Sequence, residues 1–529
     1  MQTSGASAKK EVEIEEAQPA TRLRRVIPWV LALSFSTVVF SSLTDYGVTW
    51  DENVYFNAAS SYTRWFRNPN LRRIDRFWRA NWEHPPLHKV LAGASEFLFH
   101  GRLGWMSRVQ AYRFPTVLFV FILTFCLFRW TESVYGFPAA VWATLCSFVL
   151  PRLFFHAHLA AFDYAMTTFW FVVLYAFWLG RKRRRWVYIS AVLLGLALLT
   201  KLNAFFLWIP LGVIWLLHLK DELDMFPSGR GKRIVNSFTK NFLPLIIIPP
   251  LVFIALWPWL WVDPIGRIGE YMTFHLRHFD VPIFYLGQVY RKGPWHYPFV
   301  MLALTTPPLV LAASVWGGVR LWKSEFRRAN LHVLFNIFFP LAIVGFSPAP
   351  KYDGVRLFLP ALPYLAILAG YGLSEAISSL RKPVLMRVGA FAVAIAIVLA
   401  AHQALWRPAP HHFAYFNSLV GGTEGAHHAG FDIEYWGSSY KQLLPWLNKN
   451  SETRYWVALG MINAGLLKAE KTLSPKVHFG GPKNSTRMIL MNRPGMYNAQ
   501  MRLAEQSGKP LYSVFLGTTP LVTVYELPR

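Results

Sequence analysis

Residues 164–200 read YAMTTFWFVVLYAFWLGRKRRRWVYISAVLLGLALLT: an apolar run, a block of cations from Arg181 to Arg185, and a second apolar run. A helix needs roughly 20 apolar residues to cross the hydrocarbon of a bilayer, and loops rich in Lys and Arg stay on the cytoplasmic side. The stretch therefore reads as two membrane helices joined by a cytoplasmic turn. Working outward, further apolar runs lie near 26–45, 110–129, 137–153, 203–219, 241–261, 298–320, 330–347, 357–375 and 386–405. With 164–180 and 186–200 they predict about eleven transmembrane helices.

The charge pattern agrees with that threading. The cationic stretch from Lys220 to Lys240, the group Lys323, Arg327 and Arg328, and the group Arg381, Lys382 and Arg387 all fall on the side of the N-terminus. Residues 85–101 are read as a helix lying in the interface, because a span there would invert every later loop. Residues 1–25 then form a polar cytoplasmic tail ending in Arg22, Arg24 and Arg25, and the run after it reads as an uncleaved signal anchor. Residues 26–405 form the transmembrane domain, with a long external loop over 46–109 whose Trp, Phe, Arg and Tyr suit helices at a headgroup surface. Residues 406–529 turn to a soluble composition and predict a small extracytoplasmic α/β domain.

Composition supports the class and excludes others. Of 529 residues, 54% are hydrophobic and 16% charged, which places the chain in a membrane. The net charge of +26 is spread in short clusters between apolar runs, so it argues against a nucleic-acid partner. The two cysteines, Cys126 and Cys146, sit inside apolar runs and suggest neither a disulfide framework nor a thiolate metal site.

Chemistry is sought where ionisable groups meet the membrane boundary. Asp51 and Glu52 follow the first span in Thr49-Trp50-Asp51-Glu52, with Tyr55 one turn on; a helix cap is the competing reading. Trp82-Glu83-His84-Pro85-Pro86-Leu87 lies in the same external loop, where the double proline aims Glu83 and His84 in a fixed direction. Asp163 stands at the mouth of the next external loop, close to His156 and His158, whose i, i+2 spacing without a third ligand is weak evidence for a metal. Lys201, in Leu-Thr-Lys, and Arg356, in Lys351-Tyr352-Asp353-Gly354-Val355-Arg356, are cations on the outer side, as are Arg277 and His278 in the loop 261–298. Cations there oppose the charge rule, and a phosphate at the membrane surface would account for them.

The acidic pair after the first span, the Glu83-to-Leu87 motif, an Asp opening a later span and the helix ending in Leu199-Thr200-Lys201 together resemble the GT-C membrane glycosyltransferases, in the protein O-mannosyltransferase and aminoarabinose transferase branch. The resemblance covers residues 26–375. It implies an inverting transfer of a monosaccharide, with mannose the commonest case, from a polyprenyl-phosphate carrier to an acceptor hydroxyl outside the membrane. Asp51 takes the place of the family's base, with Glu52 and Asp163 as its catalytic companions. Lys201, Arg356, His84, Arg277 and His278 are expected to hold the donor phosphate, and Glu83 and Tyr55 to orient acceptor or sugar. Some relatives carry lysine where this chain has His84. The donor is already activated by its phosphate, so no cofactor or metal is required, although a divalent cation remains compatible. The acceptor could be a protein, a lipid or a glycan, and a bacterial inner membrane is favoured. A transporter or lipid-linked-sugar flippase is the competing reading, and a glycan ligase of the same fold is a third.

Overall fold

The structure, a computed structural model, describes residues 22–225, 228–277, 279–322, 324, 326–458, 464–469 and 472–527. The expected tail lies outside them up to residue 21, as do His278 and Lys323.

Among the described residues seven helices are long and apolar enough to cross a membrane, or nine if each of two bent pairs is one span. The run expected at 137–153 is the pair Phe137–Phe148 and Pro151–Ala157, bent by 72°, and that at 298–320 is Tyr297–Thr305 and Pro308–Leu321, bent by 116°. Proline explains both breaks, since Pro151 and Pro308 cannot donate to the preceding turn. The remaining two runs are helices that fall short: Arg185–Leu198 has 14 residues, and Ala361–Ser378 ends in polar residues including Glu375. The expected count of about eleven is therefore not confirmed among the described residues, although every run is helical. Residues 85–101 form the short helix Leu87–Ser95 and a wider turn after it, not a span.

Burial orders the bundle. Phe162–Leu179 is 89% buried and forms its centre, whereas Pro383–Trp406 is 6% buried and lies at its rim. Between membrane helices apolar area gives no drive to associate, so close backbone approach through small residues takes over. A side chain at Gly317 would strike the backbone of Leu368, and one at Gly372 that of Ala313, which is how Pro308–Leu321 packs on Ala361–Ser378.

A small two-stranded sheet, β1 (Ile283–Tyr285) with antiparallel β2 (Gln288–Tyr290), sits in the loop before Tyr297. The C-terminal region holds a five-stranded mixed sheet of β3 (Arg454–Val457), β4 (His478–Phe479), β5 (Arg487–Met491), β6 (Lys509–Leu516) and β7 (Thr519–Glu526), in the order β4-β3-β5-β7-β6. β3 runs parallel to β4 and β5, and β7 antiparallel to β5 and β6.

The segment joining bundle to sheet is stitched into the bundle. Asn417 donates through Nδ2 to the carbonyls of Ala303 and Thr306, both at 2.7 Å, and through its backbone to that of Leu304 at 2.8 Å. These are carbonyls that the 116° bend leaves without helical donors, and broken membrane helices need such replacements. Glu434 accepts at Oε1 from the backbone N–H groups of Tyr435, Trp436 and Gly437, each at 3.0 Å, which fixes the turn carrying Trp436.

Candidate active site

The two neighbouring carboxylates of the first motif separate at once. Thr49 caps the helix Trp50–Arg67 in a capping box with Glu52. Glu52 is fully buried and its oxygens are occupied: Oε1 accepts from Arg113 Nε and from Ala160 N, both at 2.8 Å, and Oε2 from Arg113 Nη2 at 2.7 Å and Thr49 N at 3.0 Å. Arg113 also donates to the carbonyls of Leu43, Tyr46 and Gly47. The pair thus clamps the start of this helix to the helix Arg108–Tyr135 and to the loop before Asp163. It is closed to substrate, so the geometry gives Glu52 a fastening task in place of the catalytic one expected from its neighbour.

Asp51, one residue earlier, points elsewhere. Its side chain is 21% exposed and its Oδ2 lies 2.9 Å from Nη2 of Arg356. That contact is an ion pair without hydrogen-bond alignment, since Asp51 Oδ2 has no directed donor on it. Tyr55 stands one turn on in the same helix, and its hydroxyl favours the ionised form of this carboxylate. Burial pushes the Asp51 pKa above the usual carboxylate range; Arg356 opposes this, while Asp353 and Asp163 add to it.

Arg356 is the hub. Its Nη1 donates to Asp353 Oδ2 at 2.8 Å, and its Nε lies 3.4 Å from Asp163 Oδ2, in addition to the Asp51 contact. Its guanidinium stacks over the Trp436 ring at 4.7 Å. Asp163, buried at the start of Phe162–Leu179, accepts from Lys201 Nζ at 2.6 Å and has His156 Nδ1 at 3.9 Å. Lys201 is brought here because the Glu83-to-Leu87 motif and the end of the helix Arg185–Leu198 are tied together, Leu87 N donating to Leu199 O at 2.9 Å. Asp353 reaches its place on a turn of left-handed backbone, with φ +57° at Asp353 and +64° at Gly354.

His84 forms part of an aromatic wall beside this cluster, its ring 6.0 Å from that of Tyr55 and 5.2 Å from that of Phe162. Burial first, and Lys89 second, hold His84 well below the usual imidazole range, so it is neutral and offers a phosphate no charge. Lys89 props the loop from within, donating to Asn81 O at 2.6 Å and His84 O at 2.8 Å, and burial brings its ammonium down to about 7. Glu83 accepts from Asn81 Nδ2 through its side chain at 2.6 Å and from His275 through its backbone, so the side chain is engaged within its own loop. Arg277 is exposed at the end of the helix Pro264–Leu276, and no ion pair joins it to the cluster. His278 lies outside the described residues.

The structure thus gathers Asp51, Tyr55, His84, Asp163, Lys201 and Arg356, and leaves Glu52, Glu83 and Arg277 apart. It adds Asp353, Trp436 and Arg493, which motif reading passed over. Trp436 Nε1 donates to Asp353 Oδ2 at 3.1 Å, and Arg493 Nη2 to Asp353 Oδ1 at 2.8 Å. Asp353 stood in plain view in the quoted loop; nothing in the pattern around Arg493 marked it. Among the described residues no group of three or more His, Cys, Asp or Glu could hold a metal ion.

Chemically, two cations beside an ionisable carboxylate can bind a phosphate and accept a proton next to it. Residues 83–226 match the family of dolichyl-phosphate-mannose-protein mannosyltransferases. The fold is similar to that of ArnT from Cupriavidus metallidurans bound to undecaprenyl phosphate, at 17% identity, with a TM-score of 0.51 and 94% of this chain and 97% of that chain covered. The apo state of the same protein gives a TM-score of 0.50 at 16% identity, over the same shares of both chains. The oligosaccharyltransferase of Archaeoglobus fulgidus is similar at 10% identity and a TM-score of 0.50, over 93% of this chain and 74% of that one. No curated protein matches significantly. A helical membrane bundle with a small C-terminal sheet thus shares the fold of ArnT over nearly the full length of both chains, and the mannosyltransferase family pattern lies within it at residues 83–226.

Proposed function

We propose that this chain is an inverting glycosyltransferase that moves a monosaccharide from a polyprenyl-phosphate carrier to an acceptor hydroxyl at the outer surface of the inner membrane, its N-terminus cytoplasmic and its C-terminal sheet outside. The observation that carries the reading is Arg356 shared among three carboxylates, with its Asp51 contact close but unaligned. Such a contact is exchangeable. A donor phosphate diester entering the site takes Asp51's place on Arg356 and gains Lys201 as a second cation, which frees an Asp51 oxygen.

The acceptor oxygen then attacks the anomeric carbon from the face opposite the phosphate, and the bond from that carbon to the phosphate oxygen breaks. Both electrons of that bond leave with the phosphate, which becomes a monoester with one more negative charge. Arg356 and Lys201 stabilise that charge where water is scarce. The acceptor proton passes to Asp51, whose raised pKa suits a base. Tyr55 and neutral His84 offer hydrogen bonds to sugar or acceptor hydroxyls, and Asp163 keeps Lys201 in place. The carrier phosphate activates the sugar, so the reaction as written needs no nucleotide cofactor. Mannose is the sugar to try first, given the family match.

The test is transfer from labelled undecaprenyl-phosphate monosaccharides by the purified full chain in detergent. Wild-type turnover that falls by about 10²–10⁴ in Asp51→Asn, with the lipid still bound, supports the transferase and its base. A wild type that binds the lipid and never cleaves it overturns the reading, and transport of the lipid-linked sugar becomes the activity to assay.

A further inference from the structure

Resting on the proposed reaction, one group outside the membrane bundle has a geometry that reaches the base. Arg493 is 1% exposed and follows strand β5 in the C-terminal sheet. Its Nη2 donates to Asp353 Oδ1 at 2.8 Å and its Nη1 to Tyr435 O at 2.9 Å. Its guanidinium also sits 5.5 Å from the centre of the Trp50 ring, and Trp50 is the residue just before Asp51. Trp50 N donates in turn to Trp436 O at 3.1 Å. One arginine therefore touches both the carboxylate that steers Arg356 and the helix start that aims Asp51.

The charges explain why this matters. Asp353 offers one oxygen to Arg493 and the other to Arg356 and Trp436. With Arg493 present, Asp353 is neutralised from the sheet side and shares Arg356 with Asp51. Without it, Asp353 is a buried carboxylate served by Arg356 as its nearest cation, which draws the guanidinium away from Asp51, since a buried charge left short of a partner is costly.

We propose that Arg493 is a positioning residue for the transfer reaction: by holding Asp353 it sets how far Arg356 leans toward Asp51, so that the C-terminal sheet completes the site in the membrane bundle. Asp51 is faced by Arg356, Asp353, Asp163 and Tyr55, and only Arg356 among the charged groups favours its ionised form. Weakening that one contact raises the pH at which Asp51 becomes a competent base.

The experiment uses the full chain and the undecaprenyl-phosphate sugar assay, with kcat, donor KM and the acid limb of the kcat/KM profile, which reports the free enzyme in which Arg356 still pairs with Asp51, measured for wild type, Arg493→Met, Arg493→Lys and Arg493→Met with Asp353→Asn. Arg493→Met is expected to lower kcat about 10²-fold, the scale of a small misplacement at a reacting centre, with donor KM little changed. Its acid limb is expected to move up by about one pH unit. Arg493→Lys recovers part of both, and adding Asp353→Asn restores the limb because no unpaired carboxylate remains to draw Arg356 away. An unmoved acid limb in Arg493→Met, or equal losses in kcat and affinity, overturns the inference. Should Arg493→Met fail to fold, Arg493→Lys decides alone, and a wild-type limb there with one donor lost overturns it. A wild type that never cleaves the lipid sinks the transferase reading itself, a different result from an active wild type with an indifferent Arg493.

Discussion

Two arginine–carboxylate assemblies sit at either side of the first turn of the helix Trp50–Arg67, and they are built on opposite plans. Glu52 and Arg113 form a bidentate pair with no exposure, and every strong donor of Arg113 has an acceptor. Arg356 is spread over Asp51, Asp163 and Asp353, with one contact aligned and the others not. A saturated pair resists change, whereas an oversubscribed cation can trade one anion for another at small cost. On the proposed reaction, adjacent acidic residues in one helix turn serve fastening and chemistry, and only their partners tell them apart.

The comparison breaks most sharply at its two carboxylates. Asp51→Asn is expected to reduce transfer by about 10²–10⁴ while keeping or raising Tm in detergent. Its carboxylate has a raised pKa, so the stability it supplies when protonated at acid pH is lost as pH rises through that value, and the amide escapes the loss. Glu52→Ala is expected to do the reverse, removing about 3–5 kcal/mol of stability by stranding the Arg113 charge; thermal unfolding at matched pH reads both. A mutant pair with the two effects interchanged would show that the fastening and reacting roles had been assigned backwards.

Lys201→Met comes next, with an expected loss of about 10²–10³ in kcat as the departing phosphate loses a cation, measured by single-turnover cleavage of bound donor. Wild-type activity is expected to fall on acidification at a pH above the ordinary carboxylate range, because the base must be ionised and Asp51 is raised. Asn417→Ala is expected to cost about 1–3 kcal/mol through unsatisfied carbonyls, seen as a lower Tm with kcat per folded molecule unchanged. Arg277→Ala should be the mildest, within about 0.5 kcal/mol of wild type and with unaltered donor KM, because the exposed guanidinium lies off the cluster.

Much of the bundle was legible because the bilayer imposes it: runs of sufficient length became helices, and the proline positions turned two of them into bent pairs. Asp51, Asp163, Lys201 and Arg356 could be picked out as ionisable residues at span mouths. Glu52 could not be separated from Asp51, since a capping box and a catalytic pair look alike until Arg113, 61 residues on, is seen gripping it. Nor could Arg493 be found, because its partner Asp353 is 140 residues away and no local period links a strand end to a membrane loop. His84 shows the same limit from another side, as its neutrality comes from burial and from Lys89, which sequence order does not weigh.

Asn417 closes the sharp bend between Tyr297–Thr305 and Pro308–Leu321, and it stands 114 residues downstream of Ala303, one of the carbonyls it satisfies. A ribosome adding about 5–20 residues per second needs roughly 6–23 s to travel that far. Until Asn417 has been made, the carbonyls of Ala303, Leu304 and Thr306 lack the donors that they have in the folded chain. Biogenesis of this chain thus has a waiting period written into its order of synthesis, and the last third of the polypeptide ends it.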